Sequence, residues 1–266
     1  MDLELTSIPD GIDVNMGCPV HDVVKTGAGA ALMKDVDKAQ KIVYKIKKRV
    51  KNIPVSVKTR LGWNSHKTIL KFARILEYSG IDAIAIHGRT YKQGFSGKVD
   101  WDMIYKVKKQ LSIPVVGNGD INENFKFKIS NLKLNPDGFM IGRGVLGKPW
   151  LFDFVKKQIT KSKIQITNKF QIINGQISKQ DIKKVILEHA ELVNNLKGKQ
   201  GIIEFRKHFA WYLKGFSGGK KLRERAVKVE KMKDIVEICD DMVQSCLLYT
   251  SPSPRDLSTS RMPSSA

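Results

Sequence analysis

Five short runs rich in aliphatic residues, 12–16, 54–58, 81–87, 113–117 and 137–141, recur through the first part of the chain. Between them, segments 36–50, 67–78 and 101–111 carry apolar residues at helical spacing with lysines on the opposite face. Strands that alternate with amphipathic helices pair in parallel, because each helix returns the chain to the same end of the sheet and then covers one of its faces. The chain is therefore read as α/β. A closed (β/α)8 barrel needs eight strands and five are present, and residues 1–10 are too few for three more βα units at roughly 30 residues each. Either the sheet is open or the chain is a barrel truncated at its front.

From about residue 150 the alternation stops. Segment 161–180 is polar and mixed and reads as a linker, while 181–196, 201–214 and 223–242 read as helices, with a glycine-rich break at 215–219. The expected organisation is a sheet domain over residues 1–160, the linker 161–180, and a small all-helical domain over 181–245. Segment 246–266 abandons the lysine-rich helical composition for Ser and Pro. It reads as the translation of a sequencing adapter or as a disordered tail, and is set aside from the fold.

Charge narrows the partners. With 47 Lys and Arg against 26 Asp and Glu, the net charge of +21 points to a polyanion, RNA or DNA ahead of a membrane surface. No stretch approaches the ~20 apolar residues of a membrane span. The three cysteines, Cys18, Cys239 and Cys246, form no CxxC pair, so neither a disulfide framework nor a metal site is expected, and a reducing cytoplasm is the expected compartment.

Chemistry-bearing residues gather where the strand-like runs end, the end at which α/β barrels place their reactive loops. The first run leads into Asn15-Met16-Gly17-Cys18-Pro19, which presents a thiol on a sharp turn; a small buried core cysteine is the other reading. Lys58-Thr59-Arg60 follows the second, and period-two alternation puts Lys58 and Arg60 on one side. His87-Gly88-Arg89-Thr90 follows the third, with Gln93, Gly94 and Gly97 beyond it. Gly117-Asn118-Gly119-Asp120 and Gly142-Arg143-Gly144 follow the fourth and fifth, where glycines let backbone N–H groups approach an anion and Arg143 adds a cation. No Ser-His-Asp order, HExxH or P-loop competes.

These motifs, with Gly27-Ala28-Gly29, Leu61-Gly62-Trp63 after Lys58-Thr59-Arg60, and Arg206-Lys207-His208 followed by Trp211-Tyr212 and Gly215, resemble the tRNA-dihydrouridine synthase family, in its bacterial B-type branch. The resemblance runs over residues 11–242. It implies a TIM barrel, here about five of eight βα units, followed by a helical tRNA-binding domain. It also implies reduction of the C5–C6 bond of a tRNA uridine, with FMN taking hydride from NADPH or NADH and passing it to C6 while Cys18 protonates C5. A thiol suits this because it is ordinarily protonated at neutral pH yet releases its proton readily.

By the same resemblance Lys58, His87, Asn118, Gly119, Asp120, Gly142 and Arg143 hold the cofactor. Asn15, Arg60, Arg89, Arg206, Lys207 and Trp211 contact the RNA, and the protein acts as a monomer without metal. Trp211 and Tyr212, being adjacent on a helix, cannot both face RNA, so one of them belongs to the core. A flavin barrel acting on a free pyrimidine explains the cysteine and phosphate motifs but not the basic helical part. A non-catalytic RNA-binding fragment is the third reading.

Overall fold

A computed structural model describes residues 9–125, 136–159, 172–173, 176–216 and 218–244. Strands β1 (Ile12–Met16), β2 (Val55–Arg60), β3 (Ala83–His87), β4 (Val115–Asn118) and β5 (Gly138–Met140) form one sheet in that order, every neighbouring pair parallel. Among the described residues the sheet does not close on itself, so the α/β expectation holds as a partial barrel of five strands.

Helices α1 (His21–Lys25), α2 (Val36–Arg49), α3 (Ile69–Tyr78) and α4 (Trp101–Gln110) link the strands. Capping starts two of them: Asp35 accepts the Lys38 N–H at 3.0 Å, and Asp100 accepts the Met103 N–H at 2.9 Å. Helices α2, α3 and α4 each bury one stripe, such as Ile69, Phe72, Ala73 and Leu76 of α3, against a core containing Val57, Ile84, Ile86 and Val115.

Strand β1 coincides with its apolar run, while β2 to β5 start one or two residues later than theirs; β2 and β4 end later and β5 one residue earlier. Prolines explain the late starts of β2 and β4, since Pro54 and Pro114 lack a ladder N–H and enter the sheet only as acceptors, from Ile12 (2.9 Å) and Ile84 (3.0 Å). One device repeats at this end of the sheet. Asp82 accepts the first N–H of β2, from Val55, at 2.7 Å and Lys47 of α2 at 2.8 Å. Asp137 likewise accepts the first N–H of β4, from Val115, at 2.7 Å and Lys108 of α4 at 2.7 Å.

The chain divides into two compact units, residues 1–144 and 145–266, which places the boundary earlier than the expected domain end at 160. The reason lies in the residues just past 144. A Cβ at Gly147 would stand 2.4 Å from the Trp211 carbonyl oxygen, and Trp150 packs on the helical core. This second unit contains α5 (Leu151–Ile159), a short antiparallel pair β6 (Ile172–Ile173) and β7 (Gln176–Ile177), α6 (Lys179–Tyr212), α7 (Gly219–Ala226) and α8 (Met232–Gln244). The span read as a linker thus holds the short strand pair and the start of α6, and the rest of it, 161–171 and 174–175, lies outside the described residues. Segment 246–266 does too.

The two helices expected over 181–196 and 201–214 are both present within the α6 span, separated by a break at Gly198, whose φ of +55° and ψ of −140° are not helical. The helix expected over 223–242 is split. Asp234 accepts the N–H groups of Glu230 (2.9 Å) and Lys231 (3.1 Å), starting α8 afresh. Among the described residues no helix is long and apolar enough to cross a membrane, and no cluster of metal-ligating side chains occurs.

Candidate active site at the strand ends

Parallel register aligns the strand ends. Asn15 lies opposite Lys58, Arg60 opposite His87, and His87 opposite Asn118, so the residues singled out on successive strands share the C-terminal edge of the sheet.

Beyond β1 the chain turns through Gly17 and half-buried Cys18. Asn15 Oδ1 accepts both the Gly17 N–H (3.1 Å) and the Cys18 N–H (2.9 Å), an Asx-type turn that uses this oxygen and leaves the side-chain NH2 for other partners. Gly17 is required by contact, since a Cβ there would stand 3.1 Å from the backbone of Thr59.

Cations dominate the next two strand ends. Lys58 is held below its ordinary pKa, first by burial and then by the Arg60 charge, with Asp13 opposing. His87 is pushed down to about 4, first by burial and then by the charges of Arg60, Lys58 and Arg89, so its imidazole is neutral at pH 7 and offers one donor and one acceptor. The mutual influence of these four groups marks them as one cluster.

Arg60 and Arg89 were assigned to the substrate from the sequence; in the structure their donors meet loop carbonyls and Asp120. Both arginines are 4% exposed. Arg60 donates to the carbonyls of Gly17 (3.0 Å), Thr90 (3.2 Å) and Gly94 (2.8 Å). Arg89 donates to Ser96 (3.0 Å) and Gly97 (2.6 Å), and forks onto both oxygens of Asp120 at 2.9 and 2.5 Å. These guanidinium groups shape the loop after β3. Asp120, read as a cofactor contact, holds Arg89; its backbone adopts φ +50°, a conformation rare outside glycine.

The loops after β4 and β5 suit an anionic ester. Asn118 ties its side chain to the Met140 carbonyl at 2.7 Å, joining the two strand ends. Gly119, at φ +128°, lies so close to His87 that a Cβ would reach its ring at 3.0 Å, whereas a Cβ at Gly142 would meet nothing within 4 Å. Next to that open space the Arg143 side chain is 64% exposed, its guanidinium 4.0 Å from Asp120. A bare backbone beside an exposed guanidinium, whose carboxylate neighbour Asp120 is shared with Arg89, fits a phosphate.

Two features escaped the sequence reading. Phe95 is 59% exposed, with the guanidinium groups of Arg143 and Arg60 at 4.5 and 5.6 Å from its ring centre. The one available signal was an aromatic residue in a Gly-rich loop. Trp63 stacks on Tyr91 at 3.8 Å with Lys34 at 4.2 Å, tying together the loops after β1, β2 and β3.

The remaining assigned residues lie on α6, in the helical unit. Tyr212 is buried and bonds His189 Nδ1 at 3.2 Å, whereas Trp211 is 42% exposed with Lys214 at 5.2 Å from its ring, so the core member of that pair is Tyr212. Lys207 is exposed. Arg206 donates to the Val229 carbonyl at 2.8 Å and so braces the turn between α7 and α8.

Known proteins resemble this chain over most of its length. A probable tRNA-dihydrouridine synthase 1 of Synechocystis is 34% identical over 243 residues, covering 89% of this chain and 64% of that protein. The tRNA-dihydrouridine synthase B of Pasteurella multocida is 39% identical over 215 residues, 80% of this chain and 62% of that protein. A probable tRNA-dihydrouridine synthase of Rickettsia bellii is 37% identical over 242 residues, with coverages of 90% and 69%. The chain thus spans about two thirds of the length of these relatives. The sequence profile described as dihydrouridine synthase (Dus) matches residues 6–247, and the chain belongs to that family.

Proposed function

We propose that this chain carries the uridine-reducing centre of a tRNA-dihydrouridine synthase. The observation that carries the reading is that Asn15, three residues before Cys18, lies opposite Lys58 and that Arg60 lies opposite His87 on adjacent parallel strands, next to the open glycine loop bearing Arg143. FMN is the cofactor that the set fits. Backbone groups of Asn118, Gly119, Gly142 and Arg143 would hold its phosphate, and Lys58 and neutral His87 would face its ring. Bound there, the flavin would provide hydride-transfer chemistry for C6 of the uracil, with NADPH or NADH as the external source of electrons.

The protein's own part in the chemistry is a proton. Cys18 Sγ–H gives its proton to C5 as the C5–C6 double bond is lost, and the resulting thiolate is reprotonated from water. The Asx turn at Asn15 holds the thiol on the sheet edge, and the remaining NH2 group of Asn15 is free to meet a uracil carbonyl. Arg60 and Arg89 keep the neighbouring loop in place and raise the local positive potential, which suits a base attached to a polyanion. A tRNA uridine has to leave its stack to reach this edge, at a cost of a few kcal/mol recovered through contacts with the RNA. Lys207 and Trp211 supply an exposed cation and an exposed aromatic face for such contacts.

The test is Cys18→Ala in flavin-loaded protein. Dihydrouridine formation should fall by about 10²-fold or more while tRNA affinity and visible flavin absorbance stay unchanged. Unchanged turnover removes the proton-donor assignment. Turnover of free uracil without tRNA binding would favour a free-pyrimidine dehydrogenase instead.

A further inference from the structure

The backbone around Cys18 is fixed from several sides. Asn15 accepts its N–H, Arg60 holds the preceding carbonyl of Gly17, and the Cys18 carbonyl accepts the Ala30 N–H at 3.0 Å. Ala30 belongs to a 3-10 helix, Gly29–Met33, whose five residues are all buried, with Ala30, Leu32 and Met33 part of the sheet unit's core. Gly29 faces Cys18 directly. A Cβ at Gly29 would stand 2.8 Å from the Cys18 carbonyl oxygen, 3.1 Å from the Cys18 Cβ and 3.0 Å from Val23 Cγ1. Its φ of +56° is also one that glycine adopts without cost.

We propose that Gly29 is a positioning residue for the reaction: its bare Cα lets the buried 3-10 helix press against Cys18 and so sets the direction in which the thiol leaves its turn. This rests on Cys18 being the proton donor. The thiol is then referenced to the hydrophobic core through Ala30, rather than riding on a free loop, and a side chain at residue 29 would push the two apart.

Gly27 provides a matched control. It too is left-handed, at φ +75°, but a Cβ there would meet only the tip of the flexible Lys38 side chain, at 2.9 Å. Gly29→Ala and Gly27→Ala therefore impose comparable backbone strain and differ in whether the new methyl touches Cys18.

The experiment follows iodoacetamide alkylation of the full chain, with peptide mass mapping to separate Cys18 from Cys239 and Cys246. It is paired with kcat and KM for tRNA in flavin-loaded protein. Gly29→Ala should raise the Cys18 alkylation rate by about threefold or more as the turn loosens. It should also lower kcat by about 10- to 100-fold with KM unchanged, since displacements of about 1 Å cost rates of that size. Gly27→Ala should stay within about twofold of the parent in both.

Equal alkylation rates in Gly29→Ala and Gly27→Ala overturn the proposal. Should Gly29→Ala fail to fold, Gly29→Ala combined with Val23→Ala relieves the Val23 contact, keeps the two with Cys18, and is judged by the same comparison. If Cys18→Ala keeps its turnover, the proton-donor reading falls. If Cys18→Ala loses turnover and Gly29→Ala behaves as the parent, the positioning role alone falls.

Discussion

Two buried arginines of the sheet unit and four lysines of the helical unit use their charge in opposite ways. In the sheet unit Arg60 and Arg89 are withdrawn from solvent and spend their donors on loop carbonyls and on Asp120. In the helical unit Lys207, Lys214, Lys220 and Lys221 stand in solvent, while the interior holds His189 and Tyr212. Tyr212 is pushed up to about 12 by burial, and His189 is held below its ordinary range by burial and then by His208. A buried guanidinium fixes geometry and shapes the local field, whereas an exposed ammonium acts mainly on what arrives from solution and is screened by salt.

Removing one carboxylate from each unit tests that contrast most severely. Asp120→Ala leaves the buried Arg89 guanidinium without its forked partner and should cost about 3 kcal/mol in urea unfolding, less than a fully enclosed pair because Asp120 is itself partly exposed. Asp241→Ala, which releases the exposed Arg225 in the helical unit, should cost less than about 1 kcal/mol. Similar losses would erase the distinction.

The second effect is smaller and depends on pH. The folded pKa of His87 lies at about 4, against an ordinary 6.5. Above pH 6.5 the residue is neutral in both states and contributes nothing to a pH slope. As the pH falls from there toward 4, the unfolded chain takes up a proton that the folded one refuses, so stability is lost by roughly 2 kcal/mol across the window. His87→Gln should flatten that part of the profile in urea titrations at pH 7 and pH 4.5. A slope unchanged from the parent would mean that burial and the neighbouring cations do not together hold residue 87 below its ordinary range.

The smallest effect is on RNA. Trp211→Ala should weaken tRNA binding by about 1 kcal/mol, and Lys207→Ala should reduce the salt slope of binding by about one unit. Filter binding at several salt concentrations reads both, and no change in either would move the RNA contact away from this face of α6.

Most of the sheet, and the gathering of the candidate residues at its strand ends, were legible in the sequence because both are written locally. An apolar run followed by Asn15-Met16-Gly17-Cys18-Pro19 states a strand, a turn and a thiol in adjacent letters. The roles of Arg60, Arg89 and Arg206 were hidden because their partners are backbone carbonyls of residues distant in the chain, such as Gly17 for Arg60 and Val229 for Arg206. No side-chain pattern advertises a carbonyl. The boundary at residue 144 was missed for a similar reason: Trp150 looks like the end of the βα repeat and declares its allegiance only through packing.

The paired Asp82–Lys47 and Asp137–Lys108 contacts carry a consequence for redesign. Both carboxylates are held below their ordinary range, Asp82 first by its bond to Lys47, and Asp137 by bonds to Lys108 and the Val115 N–H that outweigh the upward push of burial. They fasten the strands at the end opposite Cys18 and His87, each joining one strand to the helix that precedes it. Loops at the other end of the sheet can therefore be exchanged for those of other sequences while these fasteners stay untouched, which makes this sheet a scaffold whose two ends can be altered separately.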